Sequence, residues 1–229
     1  MNDAREMRIR LAEEQDIPAL REVIDASVRT LQAGDYSASQ IDSALKTVFG
    51  LDSQLIADRT YFVVEAPTIA AGRRLKAMAA NEERNNQEGS APGPPQAPHA
   101  GTLRGIGSGA AAGGELVIAG CGGWSRRKKL HGGDAWTEQR REFCDPAVDA
   151  AKIRAFFIAP AFARRGVATM ILQACETAAL AEGFRSFEMS ATLTGVKLFS
   201  ARGYVERERL TLDIGGGERL PVVWMEKRA

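Results

Sequence analysis

The residues with the plainest chemistry run Phe156-Phe157-Ile158-Ala159-Pro160-Ala161-Phe162-Ala163-Arg164-Arg165-Gly166-Val167-Ala168-Thr169. A β-rich apolar run enters a turn, and the turn opens a stretch with helical spacing of apolar residues. The first amides of a helix lack intrahelical acceptors and lie at the positive end of its dipole, so phosphate oxygens are natural ligands there. Gly166 and Ala168 keep side-chain bulk out of that approach, while Arg164 and Arg165 add guanidinium donors. A pyrophosphate would suit this turn. An ordinary strand–turn–helix with an exposed arginine-rich turn has the same spacing, because a short glycine turn alone is a weak signal.

The other conspicuous residues have plainer readings. Arg126-Arg127-Lys128-Lys129 is a short basic run that reads as a solvated loop, with a lid over an acidic substrate as the alternative. Cys121 and Cys175 fall on apolar faces and read as small core residues. The three cysteines are widely spaced, and His99 and His131 sit in Gly/Pro-rich or basic loops, so neither a disulfide framework nor a metal site is expected. Gly215-Gly216-Gly217 reads as a hairpin turn, since no helix follows it to cradle a phosphate.

Elements must position the turn, and the pattern supplies them. Residues 8–12 alternate as a short half-buried strand. Asp16 offers an N-cap, and Ile17, Leu20, Val23, Ile24, Val28 and Leu31 then form one apolar stripe. Ser37 and Gln40 have capping-box spacing before the apolar positions Ile41, Leu45, Val48 and Phe49. Strands are expected at 60–65, 116–124, 153–158 and 185–191, and about 204–213 and 219–227. Glycines in the strand at 116–124 mark where a backbone or a ligand approaches closely. A helix is expected over 167–182, stopped by Gly183, and a short one over 195–202.

Between about 66 and 114 the character changes. Pro92, Pro94, Pro95 and Pro98 fall there among many glycines and alanines, with almost no large apolar residue after Met78. Such a tract cannot offset its ordering entropy by burial and reads as a disordered insertion, with a short polar helix at 70–88 as its one candidate element. The expected organisation is a single domain over 8–229 interrupted by that insertion, with 1–7 as a tail. Loop-closure entropy grows slowly with length, so a hairpin tolerates such an expanded turn.

Composition limits the partners. The 229 residues are 45% hydrophobic and carry 30 basic and 29 acidic side chains, a net charge of +1. No electrostatic footprint for nucleic acid or anionic membranes results. No apolar run approaches the ~20 residues of a membrane span. The charged N-terminus lacks a signal-peptide core, and a reducing, cytoplasmic compartment is expected.

The chain resembles the GNAT superfamily of acetyl-CoA-dependent N-acyltransferases, whose signature Q/R-x-x-G-x-G/A lies between a strand ending in V-x-P and a long helix. Ile158-Ala159-Pro160 matches the strand end, and Gly166 and Ala168 match the two small positions. Ala163 departs from the first position, beside Arg164 and Arg165. The order of elements agrees over residues 8–229 outside the insertion, including the Gly-aromatic step at Gly203-Tyr204.

The resemblance implies an α/β, three-layer fold: a mixed, mostly antiparallel sheet with helices on both faces, whose parallel strands 153–158 and 185–191 splay apart. The pantetheine arm of acetyl-CoA would lie in that gap along Phe156, Phe157 and Ile158. Residues Arg164, Arg165, Gly166, Val167, Ala168 and Thr169 would hold the pyrophosphate, with Thr192 and Phe199 completing the cofactor-binding set. An amine would attack the thioester directly, with the backbone amide of Ile158 stabilising the oxyanion. Glu188 is the first candidate base, against the alternative of an outward strand carboxylate. The family's tyrosine acid falls on Phe199, which leaves Ser200, Ser190, Thr192 or water to protonate the thiolate. Asp35 and Tyr36 fall where the family closes over its acceptor, and Trp124 either lines that cleft or packs in the core. The expected partner is a small-molecule or peptide amine, on a monomer or homodimer, with no metal. A GNAT-fold acyl-CoA sensor without turnover is the second reading, motivated by Phe199.

Overall fold

A computed structural model describes residues 7–68, 116–136 and 142–229. The chain divides into two compact units, Met1–Ala66 with Ile118–Ala229, and Pro67–Val117. Of the insertion expected at 66–114, Ala66 and Pro67 belong to the strand Tyr61–Pro67 instead, while residues 69–114, the polar helix at 70–88 and most of the tail 1–7 lie outside the described residues. Apart from Pro67, Leu116 and Val117 at strand ends, the sheet and its helices lie in the first unit.

Among the described residues seven strands form one sheet: β1 (Arg8–Leu11), β2 (Tyr61–Pro67), β3 (Leu116–Ser125), β4 (Ala151–Ile158), β5 (Ser186–Thr192), β6 (Val205–Asp213) and β7 (Arg219–Arg228). Their order across the sheet is β1-β2-β3-β4-β5-β7-β6. β4 and β5 run parallel, whereas β1–β2, β3–β4, β5–β7 and β6–β7 are antiparallel. The described α-helices are α1 (Ile17–Leu31), α2 (Ala38–Lys46), α3 (Ser53–Ala57), α4 (Val167–Ala181) and α5 (Leu193–Ser200).

Neighbouring glycines of β3 show why both faces are covered. Successive strand residues point to opposite faces. A Cβ on Gly122 would lie 2.8 Å from Ile171 of α4, and one on Gly123 would lie 3.2 Å from Leu55 of α3. The glycines of β3 therefore make room for packed side chains, and Gly123 also for the backbone carbonyl of Thr60, 2.8 Å from where its Cβ would be.

Of the two helix caps expected from sequence, one forms and one does not. Ser37 caps α2: its hydroxyl accepts from the Gln40 amide at 3.2 Å, and the Gln40 side chain accepts from the Ser37 amide at 2.9 Å. Asp16 stands at the N-cap of α1, but its carboxylate makes no capping hydrogen bond there. It accepts instead from the guanidinium of Arg10 and from the Glu13 amide, where it closes a one-turn 3-10 helix. α3 was not expected from sequence, because five residues give no measurable periodicity. Gly183, at φ +95°, follows the last turn of α4 in the left-handed conformation glycine adopts without strain.

Candidate functional site

The sheet opens in its middle. β4 and β5 pair only at Ala151–Phe187 and Lys152–Glu188. Beyond these pairs β4 stays with β3 and β5 stays with β7, so a gap widens toward the C-terminal ends of both strands. β4 is also bulged: Cys121 pairs with Phe157 and Gly123 with Arg154, so Ala155 and Phe156 together oppose Gly122. Ala155 carries the bend at φ +58°, a left-handed position for a non-glycine residue. A bulge takes residues out of the ladder and re-aims them, as strands beside active sites often do.

At the end of β4 the chain passes through a 3-10 turn, Pro160–Phe162, to the start of α4. Gly166 is the N-cap of α4 with φ +89°, and no atom lies within 4 Å of a Cβ placed there. The open space and the orphan amides of the first turn suit a bound anion. Arg165 packs over Phe162 at 6.0 Å. A third guanidinium, missed in the sequence, joins them: Arg202 donates to the Thr169 hydroxyl at 2.9 Å from just past the end of α5.

Between β4 and β5, below the end of α1, lies a cavity of ≈ 90 Å³. Phe156, Phe157, Thr192 and Phe199 line it, together with Gln32, His131, Arg154 and Ser190. Among the described residues no carboxylate lines it. Phe199 is 6% exposed and meets Phe156 and Tyr204 edge-on at 5.8 and 5.9 Å, so the position expected to carry an acid is an aromatic contact.

A buried ionic cluster fixes one wall. Arg154 is hydrogen-bonded to Asp52 and to the Gly132 carbonyl, and donates to the Lys129 carbonyl at 2.8 Å. Lys129 donates to the Gly133 carbonyl at 3.0 Å and lies 3.8 Å from Asp52. Burial pulls the Lys129 ammonium and the Arg154 guanidinium below their ordinary values, against the opposing pull of Asp52. The loop bearing His131 is thereby tied to β4 and to the chain entering α3.

Several residues picked from sequence lie elsewhere. Glu188 pairs with Lys152 and accepts from the Trp224 indole at 3.1 Å, so both its oxygens are engaged at the closed end of the gap. Ser200 is exposed and outside the cavity. Trp124 is 1% exposed and packs edge-on against Phe184 at 5.9 Å, in the core. The Tyr36 hydroxyl accepts from the Leu193 amide at 3.0 Å and donates to the Pro221 carbonyl at 2.8 Å, and burial pushes it up to about 12. Asp35 accepts from the Thr194 hydroxyl at 2.5 Å. Both clamp the first turn of α5 instead of reaching the cavity. The Ile158 amide donates to the Ser27 hydroxyl at 3.1 Å and is thus engaged within the protein.

Ser27, Gln32 and Arg154 were not singled out from sequence, and His131 was named there only in setting aside a metal site. Ser27 carried a readable signal, as a hydroxyl on the buried stripe of α1. Arg154 carried another, as a charge inside an otherwise apolar strand.

The model of the Acetyltransferase (GNAT) family matches residues 80–204, more than half of the 229-residue chain. The chain belongs to the GNAT acetyltransferase family. Solved GNAT structures share the fold at low identity. A GCN5-related N-acetyltransferase from Rhodopseudomonas palustris aligns with TM-score 0.55 and 19% identity, covering 97% of this chain and 95% of its own. The PaiA N-acetyltransferase of Thermoplasma acidophilum, solved in complex with coenzyme A, aligns with TM-score 0.52 and 12% identity over 97% and 99%. An N-acetyltransferase from Staphylococcus aureus Mu50 aligns with TM-score 0.50 and 11% identity over 97% and 98%. No curated protein matches the chain significantly.

The GNAT assignment supports acyl transfer as the general activity. Among the described residues no helix is long and apolar enough to cross a membrane, and no group of three or more His, Cys, Asp or Glu side chains could hold a metal ion. The three cysteines are free and buried.

Proposed function

We propose that this GNAT protein transfers an acetyl group from acetyl-CoA to the primary amine of a small molecule. The observation that carries the reading is the gap between β4 and β5, with the cavity beside the β4 bulge and the open helix start at Gly166 following the end of β4. The pyrophosphate would sit on the first-turn amides of α4, with Arg164, Arg165 and Arg202 around it. The pantetheine arm would extend along β4 in place of a neighbouring strand. Phe156 and Phe157 would flank it from β4, and Thr192 and Phe199 would face it from the other side.

The neutral amine attacks the thioester carbonyl carbon. A carbon–nitrogen bond forms, the carbon–sulfur bond breaks, and the sulfur leaves as thiolate. Stabilisation of the oxyanion falls to the bulge at Ala155–Phe156, since the ladder does not claim both residues and the Ile158 amide is engaged by Ser27. We place proton removal at His131, which stands on the cavity wall where no carboxylate does. Imidazole ordinarily titrates near neutrality and suits that role. The thiolate takes its proton from solvent, because Ser200 lies outside the cavity and Phe199 has no hydroxyl.

Thiol release from acetyl-CoA across an amine panel tests this reading, with mass-spectrometric detection of the acetylated amine. The buried, hydroxyl-free Phe199 favours one alternative, an acyl-CoA sensor. CoA binding with no turnover on any amine is the result that would establish it.

A further inference from the structure

Three buried polar atoms, one from the residue that follows α1 and one each from β5 and β4, have no partner within the protein: the carboxamide oxygen of Gln32, the hydroxyl of Ser190 and the Nε of Arg154. All three residues line the same cavity. Gln32 and Arg154 are only 7% and 8% exposed. Buried polar groups in folded proteins are nearly always paired, so three orphans converging on one space mark a place built for a polar ligand.

Their chemistry sorts that ligand. The Arg154 Nε–H only donates, the Ser190 hydroxyl can donate, and the Gln32 oxygen only accepts. The remaining Arg154 nitrogens are committed to Asp52, Gly132 and Lys129, which fixes the guanidinium and leaves Nε over. Two donors match the oxygens of a carboxylate, and one acceptor matches an amine N–H. Arg154 is also the one lining residue, among those described, with a formal charge at neutral pH. An acceptor that is only cationic, such as a polyamine, meets no carboxylate there.

We infer that the acceptor is a small amino acid or close analogue, whose carboxylate is held by Ser190 and Arg154 while Gln32 accepts from its amine. This rests on the acyltransferase reading above and narrows its substrate class. The cavity volume of ≈ 90 Å³ suits a compact acceptor.

The test is calorimetric titration of the CoA-saturated protein with the twenty amino acids, their carboxamides and the corresponding decarboxylated amines. Acetylation of the same compounds is measured in parallel. At least one amino acid should bind, and its carboxamide and decarboxylated amine should bind ten-fold or more weakly. Ser190→Ala should weaken that amino acid about ten-fold, as loss of a hydrogen bond to a charged group does, and leave the decarboxylated amine unchanged. Gln32→Glu should repel the amino acid by at least as much and improve the decarboxylated amine. CoA affinity and melting temperature serve as controls for both variants.

Absence of amino-acid binding, or equal affinity for an amino acid and its carboxamide, overturns the inference. So does an equal effect of Ser190→Ala on both ligands. Turnover of carboxylate-free amines under those results would leave the acyltransferase reading standing. Binding that follows the variants as expected but yields no acetylated product would uphold the site and remove the acyltransferase reading instead.

Discussion

The hydroxyl of Ser27, on the buried face of α1, accepts a hydrogen bond from the backbone amide of Ile158 in β4 at 3.1 Å. The amide points into the gap between β4 and β5, on the side where an extended ligand would pair. A serine from a packed helix thus stands where a ligand carbonyl would compete for the same donor.

Ser27→Ala should therefore strengthen CoA binding several-fold while lowering the stability of the free protein by about 1 kcal/mol, the net worth of a typical hydrogen bond. Calorimetry and urea unfolding measure the two effects separately. Unchanged CoA affinity would mean that Ser27 does not stand in the ligand's path.

At the helix start, Gly166→Asp should abolish the rise in melting temperature that CoA produces by binding the native state. Its carboxylate would enter the open space and repel pyrophosphate. Gly166→Ala separates charge from conformation. At φ +89° with nothing near its Cβ, alanine meets only backbone strain, about 1–2 kcal/mol. It should retain most of the CoA-dependent shift.

For proton removal, His131→Asn should lower kcat by roughly 10²–10⁴-fold and flatten the low-pH limb of the rate profile. Glu188→Gln should leave kcat within a few-fold, because that carboxylate is already engaged by Lys152 and Trp224. It should cost about 1–3 kcal/mol of stability by weakening a bond to a charged group. The opposite ranking of the two variants would return the base to Glu188.

Acid should unfold the protein in part through two carboxylates. The Arg10 guanidinium holds Asp16 below its ordinary 3.8, and that of Arg127 does the same for Asp58. Groups depressed in the folded state bind protons more readily when unfolded. Their contribution is complete above the unfolded value and drains as pH falls through the lower folded ones. Stability should hold down to about pH 5 and decline below it, and Asp58→Asn should make that decline shallower. A slope unchanged in Asp58→Asn would count against the ion pair.

Much of the frame was legible because it rests on local rules. The stripe of α1, the Ser37–Gln40 box, the glycine after α4 and the alternation along β5 are each written within a few residues. The site was less so. Alternation placed Glu188 and Ser190 on one face of β5, but Glu188 is neutralised by Lys152 on a strand joined 36 residues away in sequence. Nothing in Arg154-Ala155-Phe156 announces a bulge, since its bend falls on an alanine. Asp16 had the right type and place for a cap, and Arg10 took its oxygens.

The opening between β4 and β5 has a consequence for how the protein keeps company. Exposed strand edges recruit other chains, and sheets usually carry them at the periphery, where pairing leads to aggregation. Here a pair of edges lies inside the sheet, with α1 crossing close enough for Ser27 to touch β4. A slot so placed would suit a thin, linear molecule better than a second polypeptide with its side chains. Backbone pairing capacity is thereby held open away from the outer strands β1 and β6.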